Sequence, residues 1–212
     1  EDAAQALGAK FRGRCAGTFG LAGMISLYPA KVLGCLGDGG LVMTNDDAMA
    51  KKLRLLRDHG RDEDGEVVAW GVNSRLDTVQ AAVLLAKFRH YPEEILRRRE
   101  IAERYREGLA GLDDMTLPPG PDDGDHFDIY QNYELQADQR DELQRYLNEK
   151  GVGTLIQWGG KAVHQWENLG FKVQLPKVEK FFERCIMLPM NFFLSNDEVQ
   201  YVCDQILNFY RK

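Results

Sequence analysis

The alternation of short apolar segments with amphipathic helical segments is the feature that most constrains how this chain can fold. In the first half, two strand-like segments, MISLYP (24–29) and GGLVMTND (39–46), flank a glycine-rich turn, and helical patterns follow them. A linker rich in proline, glycine and aspartate occupies 118–128. Beyond it, strand-like and helical segments alternate to the last residue. For the second half of the chain, this pattern predicts a compact α+β or α/β unit.

Single segments give more specific predictions. Residues 46–57 are predicted to form a helix that buries Met49, Leu53 and Leu56, and a second helix is predicted to begin near residue 74. VGTLIQW (152–158) is predicted to be a strand. Ser195 and Glu198 are predicted to form a capping box at the start of the last helix.

Composition limits the class of protein further. The chain has 212 residues, of which 44% are hydrophobic and 28% are charged, so we expect a soluble globular protein of one large or two small domains. The formal net charge of -6 argues against a nucleic-acid partner. No apolar run is long enough to span a membrane, and no signal peptide is evident, so we expect no membrane partner.

The cysteines indicate a reducing environment. The chain has four of them, Cys15, Cys35, Cys185 and Cys203. They form no CxxC pair, and none lies near a histidine at metal-ligand spacing. We therefore expect a reduced cytoplasmic protein with buried thiols and no metal site.

Lys31 lies in an unusual segment, SLYPAKVLGCLGDGG (26–40), among small, apolar and turn-forming residues. Two interpretations are open. Lys31 is an ordinary surface lysine at the end of a strand, or it is an amine held in apolar surroundings. There its charge is poorly stabilised, and the neutral form attacks aldehydes. The glycines match neither GxxxxGK[ST] nor GxGxxG, so a close-packed turn between strands explains them better than a phosphate loop.

Two further clusters have both functional and structural interpretations. EDAAQ (1–5) suits the first turn of a helix, where acids face the positive end of the helix dipole. GVNSRLD (71–77) suits a loop in which Ser74 or Asp77 caps the next helix. Neither cluster is specific on its own.

In their order and spacing, EDAAQ, SLYPAKVLGCLGDGG, LRDHG and GVNSRLDTVQAA together resemble the nucleotide-sugar aminotransferases of the DegT/DnrJ/StrS type. The match covers roughly the first half of the chain, and DELQRYLNEKGVGT and LPM match more loosely in the second half. The resemblance implies a pyridoxal-phosphate-dependent transferase of the aspartate aminotransferase-like α/β fold, fold type I. It also implies part of the large cofactor-binding domain at 1–110 and a small C-terminal α/β domain at 111–212.

The resemblance assigns roles to five residues of the cofactor site. Lys31 corresponds to the lysine that forms the internal aldimine with pyridoxal 5'-phosphate. Asp2 corresponds to the acid that pairs with the pyridine nitrogen, and Gln5 to a residue near the phenolic oxygen of the ring. Ser26 corresponds to a hydroxyl donor to the cofactor phosphate. Asn73 corresponds to an asparagine that reaches the phosphate from the other subunit of a homodimer.

On the substrate side, the resemblance is weaker. It implies a nucleotide-linked keto-sugar as acceptor and glutamate as amino donor. Arg75 is a candidate contact to an anionic substrate group, or else a structural ion pair. His164 is a candidate substrate contact, or else a packed histidine. Near it, Trp158-Gly159-Gly160 replaces the family's usual tyrosine-proline stretch.

Family members are nearly twice as long as this sequence. We therefore expect the N-terminal half of the family's fold to be absent, and residues 1–212 by themselves to be inactive. A second interpretation is a non-catalytic unit that serves only folding or dimerisation.

Overall fold

The chain forms two compact units. The computed structural model describes residues 1–121 and 124–211. The first unit comprises Glu1–Ile95 and Gly124–Gln131. The second comprises Leu96–Asp123 and Asn132–Lys212, apart from the residues outside the described ranges. Residue 110, the predicted domain boundary, falls within the second unit, and the assignment of cofactor-binding and small domains stays a prediction.

Short strands and longer helices alternate along the described residues. The strands, in chain order, are β1 (Lys10–Phe11), β2 (Arg14–Cys15), β3 (Ala22–Ser26), β4 (Gly40–Thr44), β5 (Met115–Thr116), β6 (His126–Phe127), β7 (Tyr133–Ala137) and β8 (Cys185–Leu188). The α-helices are α1 (Asp47–Arg57), α2 (Thr78–Phe88), α3 (Tyr91–Gly108), α4 (Arg140–Glu149), α5 (Pro176–Arg184) and α6 (Asn196–Tyr210).

Two small sheets build the first unit. β3 and β4 pair antiparallel, as expected for two strands around a glycine turn, and Asp2 adds a parallel bridge to Met24 of β3. β1 pairs antiparallel with both β2 and β6. β6 lies within the predicted linker at 118–128, and Asp122 and Asp123 of that linker lie outside the described residues. A core beneath the β3–β4 sheet joins residues from both segments of the unit, including Ala3, Ile25, Leu27, Val32, Leu33, Cys35, Leu84, Tyr91 and Ile129.

Helices α1 and α2 differ from the sequence prediction in detail. In α1, the Asp46 side chain accepts a hydrogen bond from the Met49 N–H at 2.7 Å, which satisfies one of the free amides at the helix start. The predicted inward positions Met49, Leu53 and Leu56 are only half-buried. Helix α2 begins at Thr78 rather than near residue 74. Asp77, one of the two predicted capping residues, occupies the N-cap position, but its side chain makes no capping hydrogen bond.

The second unit places helices against a three-stranded antiparallel sheet in the order β5-β7-β8. All four residues of β8 are buried, and the residues of β7 alternate between buried and half-buried. Helix α6 starts with the predicted capping box: the Glu198 N–H donates to Ser195 Oγ, and the Ser195 N–H donates to Glu198 Oε2. The core is filled by large side chains, among them Tyr105, Tyr133, Leu143, Leu147, Ile186 and Ile206.

The strand predicted at 152–158 is wrong. Only Leu155 pairs with the sheet, through two backbone hydrogen bonds to Met187, and a 3-10 turn follows at Gln157–Gly160. The backbone φ angles of Trp158 and Gly159 are +50° and +64°, which bend the chain out of the extended conformation.

Within the described residues, no helix is long and apolar enough to cross a membrane. No group of three or more His, Cys, Asp or Glu side chains in that part of the chain could hold a metal ion. The four cysteines are free thiols, and Cys35, Cys185 and Cys203 are buried as expected. The expectation is wrong for Cys15, which is exposed.

Candidate functional site

Lys31 lies in the loop that leaves β3 and returns to β4. The Lys31 N–H donates to the Tyr28 carbonyl at 2.8 Å, and the Tyr28 N–H donates to Ser26 Oγ at 3.3 Å. These bonds tie the turn that carries Lys31 to the end of the strand. The Lys31 side chain is half-buried, and among residues 1–121 and 124–211 its ammonium group has no hydrogen bond or ion pair. This amine is therefore not held in a structural ion pair.

Side chains from three distant positions hold this loop, and the sequence analysis missed all of them. Gln131 accepts from the Val32 N–H and donates to the Ala30 carbonyl, both at 3.0 Å. On helix α2, Gln80 accepts from the Leu36 N–H at 2.8 Å, and Lys87 donates to the Gly34 carbonyl at 2.6 Å. No sequence signal marks these residues, because their roles depend on contacts across 44 to 101 positions.

Gly34 shows why the loop needs glycine. A Cβ atom built on Gly34 would lie 2.6 Å from the Pro29 carbonyl oxygen and 2.7 Å from that of Tyr28. Real Cβ atoms do not approach backbone oxygens so closely, so any larger residue would push the two arms of the loop apart. Gly37 is different, since a Cβ there meets only the flexible end of Gln80 at 3.1 Å.

Asp2 lies beside the same sheet. The Ala3 N–H donates to the Met24 carbonyl and the Met24 N–H donates to the Glu1 carbonyl, both at 3.0 Å, so residues 1–3 follow β3 in parallel. The Asp2 carboxylate accepts from the Ala4 N–H at 3.0 Å. Since Ser26 is two residues beyond Met24 on β3, the sheet brings Asp2 and Ser26 to one region. Gln5 is exposed in the turn that follows Asp2.

The Glu1 carboxylate anchors this N-terminal segment. It accepts from the Gly17 N–H at 2.8 Å and from the Phe19 N–H at 2.7 Å. These two backbone donors lower the pKa of Glu1 below the usual glutamate value, because they stabilise the ionised form. The backbone that carries Asp2 is therefore held by Met24 of β3 and, through Glu1, by the backbone of Gly17 and Phe19.

Asn73 and Arg75 lie in a separate cluster of the first unit, where LRDHG meets GVNSRLD. Asp58 and Asn73 form an isolated antiparallel bridge, and Arg75 Nη1 lies 3.4 Å from Asp58 Oδ1. A Cβ on Gly60 would lie 1.8 Å from the Ala69 carbonyl oxygen, so this close backbone approach requires glycine. Asn73 is exposed. The contact of Arg75 with Asp58 corresponds to the structural ion pair, one of the two interpretations that the sequence left open.

His164 lies in the second unit and is buried. Its Nε2 is 2.9 Å from Glu179 Oε1, which also accepts from the Leu175 N–H at 2.7 Å. The hydrogen bond from His164, and then that from Leu175, lower the pKa of Glu179. These contacts are those of a packed histidine, the structural alternative that the sequence left open.

Comparison with known proteins agrees with this arrangement of motifs. The model of the DegT/DnrJ/EryC1/StrS aminotransferase family matches residues 1–207. The chain belongs to this family. Members of the family are pyridoxal-phosphate-dependent, as the resemblance implied.

Individual family members give a consistent picture. The pleiotropic regulatory protein of Geobacillus stearothermophilus is 40% identical over 215 residues, which cover 100% of this chain and 58% of that protein. The dTDP-3-amino-3,4,6-trideoxy-alpha-D-glucose transaminase of Streptomyces venezuelae is 36% identical over 210 residues, covering 97% of this chain and 55% of that one. The chain therefore spans little more than half the length of these relatives.

A solved structure confirms the fold. The crystal structure of a DegT DnrJ EryC1 StrS aminotransferase from Brucella abortus matches with a TM-score of 0.91 and 37% identity. The match covers 100% of this chain and 57% of that one. The predicted α/β fold of the pyridoxal-phosphate-dependent transferases is thus correct.

The residues of the first unit suit the cofactor of this family in chemical type. Lys31 offers an amine that, among the described residues, has no hydrogen bond or ion pair. Asp2 offers a carboxylate, one oxygen of which accepts a hydrogen bond from the Ala4 N–H. The Ser26 oxygen accepts from the Tyr28 N–H and keeps its own proton for an anionic acceptor such as a phosphate. An aldehyde, a basic ring nitrogen and a phosphate are the three groups that such a set would bind.

Proposed function

We propose that this chain forms part of a pyridoxal-phosphate-dependent aminotransferase that acts on a nucleotide-linked keto-sugar and takes its amino group from glutamate. The observation that carries the proposal is the Lys31 loop, which holds a half-buried amine without an ion pair. Family membership supports the reaction class, and the name of the Streptomyces relative, a dTDP-sugar transaminase, supports the sugar nucleotide. The donor glutamate rests on the resemblance alone.

Each residue of the first unit has one task in this proposal. Lys31 is the amine that attaches the cofactor and, when free, moves a proton to and from the reacting carbon. Asp2 holds the proton on the ring nitrogen, and Ser26 donates its hydroxyl to the phosphate. Gln5 donates near the phenolic oxygen. Bound pyridoxal phosphate supplies the electron sink that lets the amino-bearing carbon lose a proton.

Three further residues complete the proposal. Asn73 donates to the phosphate across the interface of a homodimer, and its exposed position is compatible with such a contact. Arg75 contacts an anionic group of the substrate only if its ion pair with Asp58 opens. His164, which bonds to Glu179, would contact the substrate in addition to that bond. The four free thiols support a cytoplasmic location.

The attachment site is tested in the full-length protein that contains this chain, by reduction with borohydride in the presence of pyridoxal phosphate. The reduction makes the link between an amine and the cofactor permanent, and digestion with mass spectrometry then locates it. We expect the label on Lys31, with Lys31→Arg unlabelled and Lys87→Arg, which alters the neighbouring lysine, still labelled. A label on another lysine rules out the assignment.

The substrate class is tested with the same protein. Glutamate and a panel of nucleotide-linked keto-sugars are supplied, and amino-sugar formation is measured by mass spectrometry. Free ketoacids serve as the matched acceptors without a nucleotide. Turnover of ketoacids alone contradicts the sugar assignment. Labelling at Lys31 without turnover of any acceptor favours the alternative, a non-catalytic unit for folding or dimerisation.

A further inference from the structure

The side-chain amide of Gln131 contacts the peptide groups on both sides of Lys31. Its Oε1 accepts from the Val32 N–H, and its Nε2 donates to the Ala30 carbonyl, each at 3.0 Å. Val32 follows Lys31 and Ala30 precedes it, so one side chain spans the residue that carries the amine. Gln131 belongs to the same compact unit, although 99 positions separate it from Val32.

This two-point contact constrains the backbone of Lys31 directly. The carbonyl of residue 30 and the N–H of residue 32 are the pair of groups that one strand offers to a neighbouring strand. A carboxamide carries one donor side and one acceptor side in a single plane, so it can replace that neighbour. Fixing both groups restricts φ and ψ of Lys31, and these angles set the direction in which its side chain leaves the loop.

The other supports of the loop act elsewhere. Gln80 holds Leu36 and Lys87 holds Gly34, while the backbone bond from the Cys35 N–H to the Leu27 carbonyl, at 2.8 Å, closes the loop. Their removal would loosen the far arm of the loop. The contacts of Gln131, in contrast, lie on both sides of Lys31.

We propose that Gln131 is a positioning residue that aims the Lys31 amine at its carbonyl partner. This inference rests on the proposed function in one respect, namely that Lys31 is the attachment site. The constraint on the loop itself does not depend on any bound cofactor. The two parts can therefore be measured separately.

The first experiment measures backbone hydrogen exchange in Gln131→Leu without cofactor. Leucine has similar size but can neither donate nor accept, so the Val32 N–H loses its acceptor. We expect exchange at Val32 to become about tenfold faster. The amides of Leu27 and Cys35, which bond to backbone carbonyls, should keep their rates. Gln174→Leu, at an exposed glutamine of the second unit, is the matched control and should change neither.

The second experiment measures how fast Lys31 is labelled by pyridoxal phosphate and borohydride in the full-length protein that contains this chain. We expect labelling of Gln131→Leu to be about tenfold slower than that of wild type, and labelling of Gln174→Leu to be unchanged. The inference is overturned if Gln131→Leu is labelled at Lys31 as fast as wild type, or if its Val32 amide exchanges as slowly as in wild type. If wild type carries no label on Lys31, the proposed function fails, and exchange at Val32 alone decides whether Gln131 constrains the loop.

A second variant keeps the inference testable if Gln131→Leu does not fold. Gln131→Glu retains an acceptor for Val32 but turns a carboxylate oxygen toward the Ala30 carbonyl, and the two oxygens repel each other. We expect faster exchange at Val32 and slower labelling of Lys31, each smaller than in Gln131→Leu. Unchanged values in this variant contradict the inference.

Discussion

At the scale of single residues, Asp2 is the most informative side chain of the proposed site. One carboxylate oxygen accepts from the Ala4 N–H at 3.0 Å, a bond that an asparagine Oδ1 can replace. Asp2→Asn therefore keeps the local turn and removes only the negative charge. Any loss in this variant reports on electrostatics rather than on folding.

In the full-length protein that contains this chain, we predict that Asp2→Asn still attaches the cofactor while transamination falls by about 10²–10³-fold, the usual cost of removing a preorganised electrostatic contact. Cofactor absorbance and single-turnover kinetics measure the two properties. Asp38→Asn removes a charge from an exposed position in the glycine loop and serves as the control. Unchanged turnover in Asp2→Asn would remove Asp2 from the proposed role.

The pair of His164 and Glu179 predicts a dependence of stability on pH. The pKa of Glu179 lies below its ordinary value of 4.5 in the folded state, first because of His164 and then because of the Leu175 N–H. A carboxyl whose pKa is lower in the folded than in the unfolded state adds to the free energy of unfolding at pH values above its unfolded-state pKa. That contribution is lost as the pH falls through its folded-state pKa. The stabilisation is thus complete near neutral pH and disappears in acid.

Glu179→Gln should therefore lower the free energy of unfolding near neutral pH, and its difference from wild type should shrink below pH 4.5. Urea unfolding at a series of pH values measures this difference. Glu167→Gln, at an exposed position three residues after His164, should match wild type throughout. A difference that stays constant between neutral and acidic pH would show that the charge of Glu179 contributes nothing.

At the scale of elements, the loop from β3 to β4 shows how close packing sets sequence. A Cβ on Gly34 would lie 2.6 and 2.7 Å from two backbone oxygens, whereas a Cβ on Gly37 would meet only the side-chain amide of Gln80. Both positions belong to one glycine-rich segment, yet they differ in how much space surrounds them. This difference supplies a matched pair of variants.

We predict that Gly34→Ala destabilises the protein by about 1–3 kcal/mol, the usual cost of overpacking, because backbone atoms must move apart. Gly37→Ala should change stability by no more than about 0.5 kcal/mol. Thermal or urea unfolding compares the two. Equal effects would contradict the packing argument. Slower labelling of Lys31 in Gly34→Ala alone would tie the packing of the loop to the proposed site.

At the scale of the whole molecule, the main observation is that the relatives are much longer than residues 1–212. Residues 1–212 span 58% of the Geobacillus relative and 55% of the Streptomyces transaminase. Those proteins therefore contain segments without a counterpart here, which can supply further contacts to the ring and phosphate. Charge-assisted hydrogen bonds are worth about 1.5–3 kcal/mol each, so two or three of them change cofactor affinity by several powers of ten.

We therefore predict that residues 1–212, expressed alone, show no aminotransferase activity and no tightly bound cofactor. Absorbance of the bound cofactor and turnover with glutamate measure both properties, and the Streptomyces transaminase is the positive control. Full activity of residues 1–212 would show that the contacts made by the additional segments of the relatives are dispensable.

Local signals in the sequence were sufficient for several features. They predicted strands on both sides of the glycine turn, the helix after Asp46 and the capping box of Ser195 and Glu198, because such features depend on neighbours a few residues apart. The motif order predicted the family and its fold. The motif residues Asp2 and Ser26 meet on one sheet, although their chemical roles remain predictions.

Other features were decided only by the tertiary structure. Gln131 reaches Val32 across 99 positions, and Glu179 reaches His164 from a different helix. The strand predicted at 152–158 did not form because only Leu155 of this segment pairs with the sheet, and the chain turns at Trp158. Hydrogen-bond partners and local strain of this kind are set by which segments the fold brings together. A linear pattern carries the propensity of each segment, whereas the energy of contacts between distant segments appears only once they are packed.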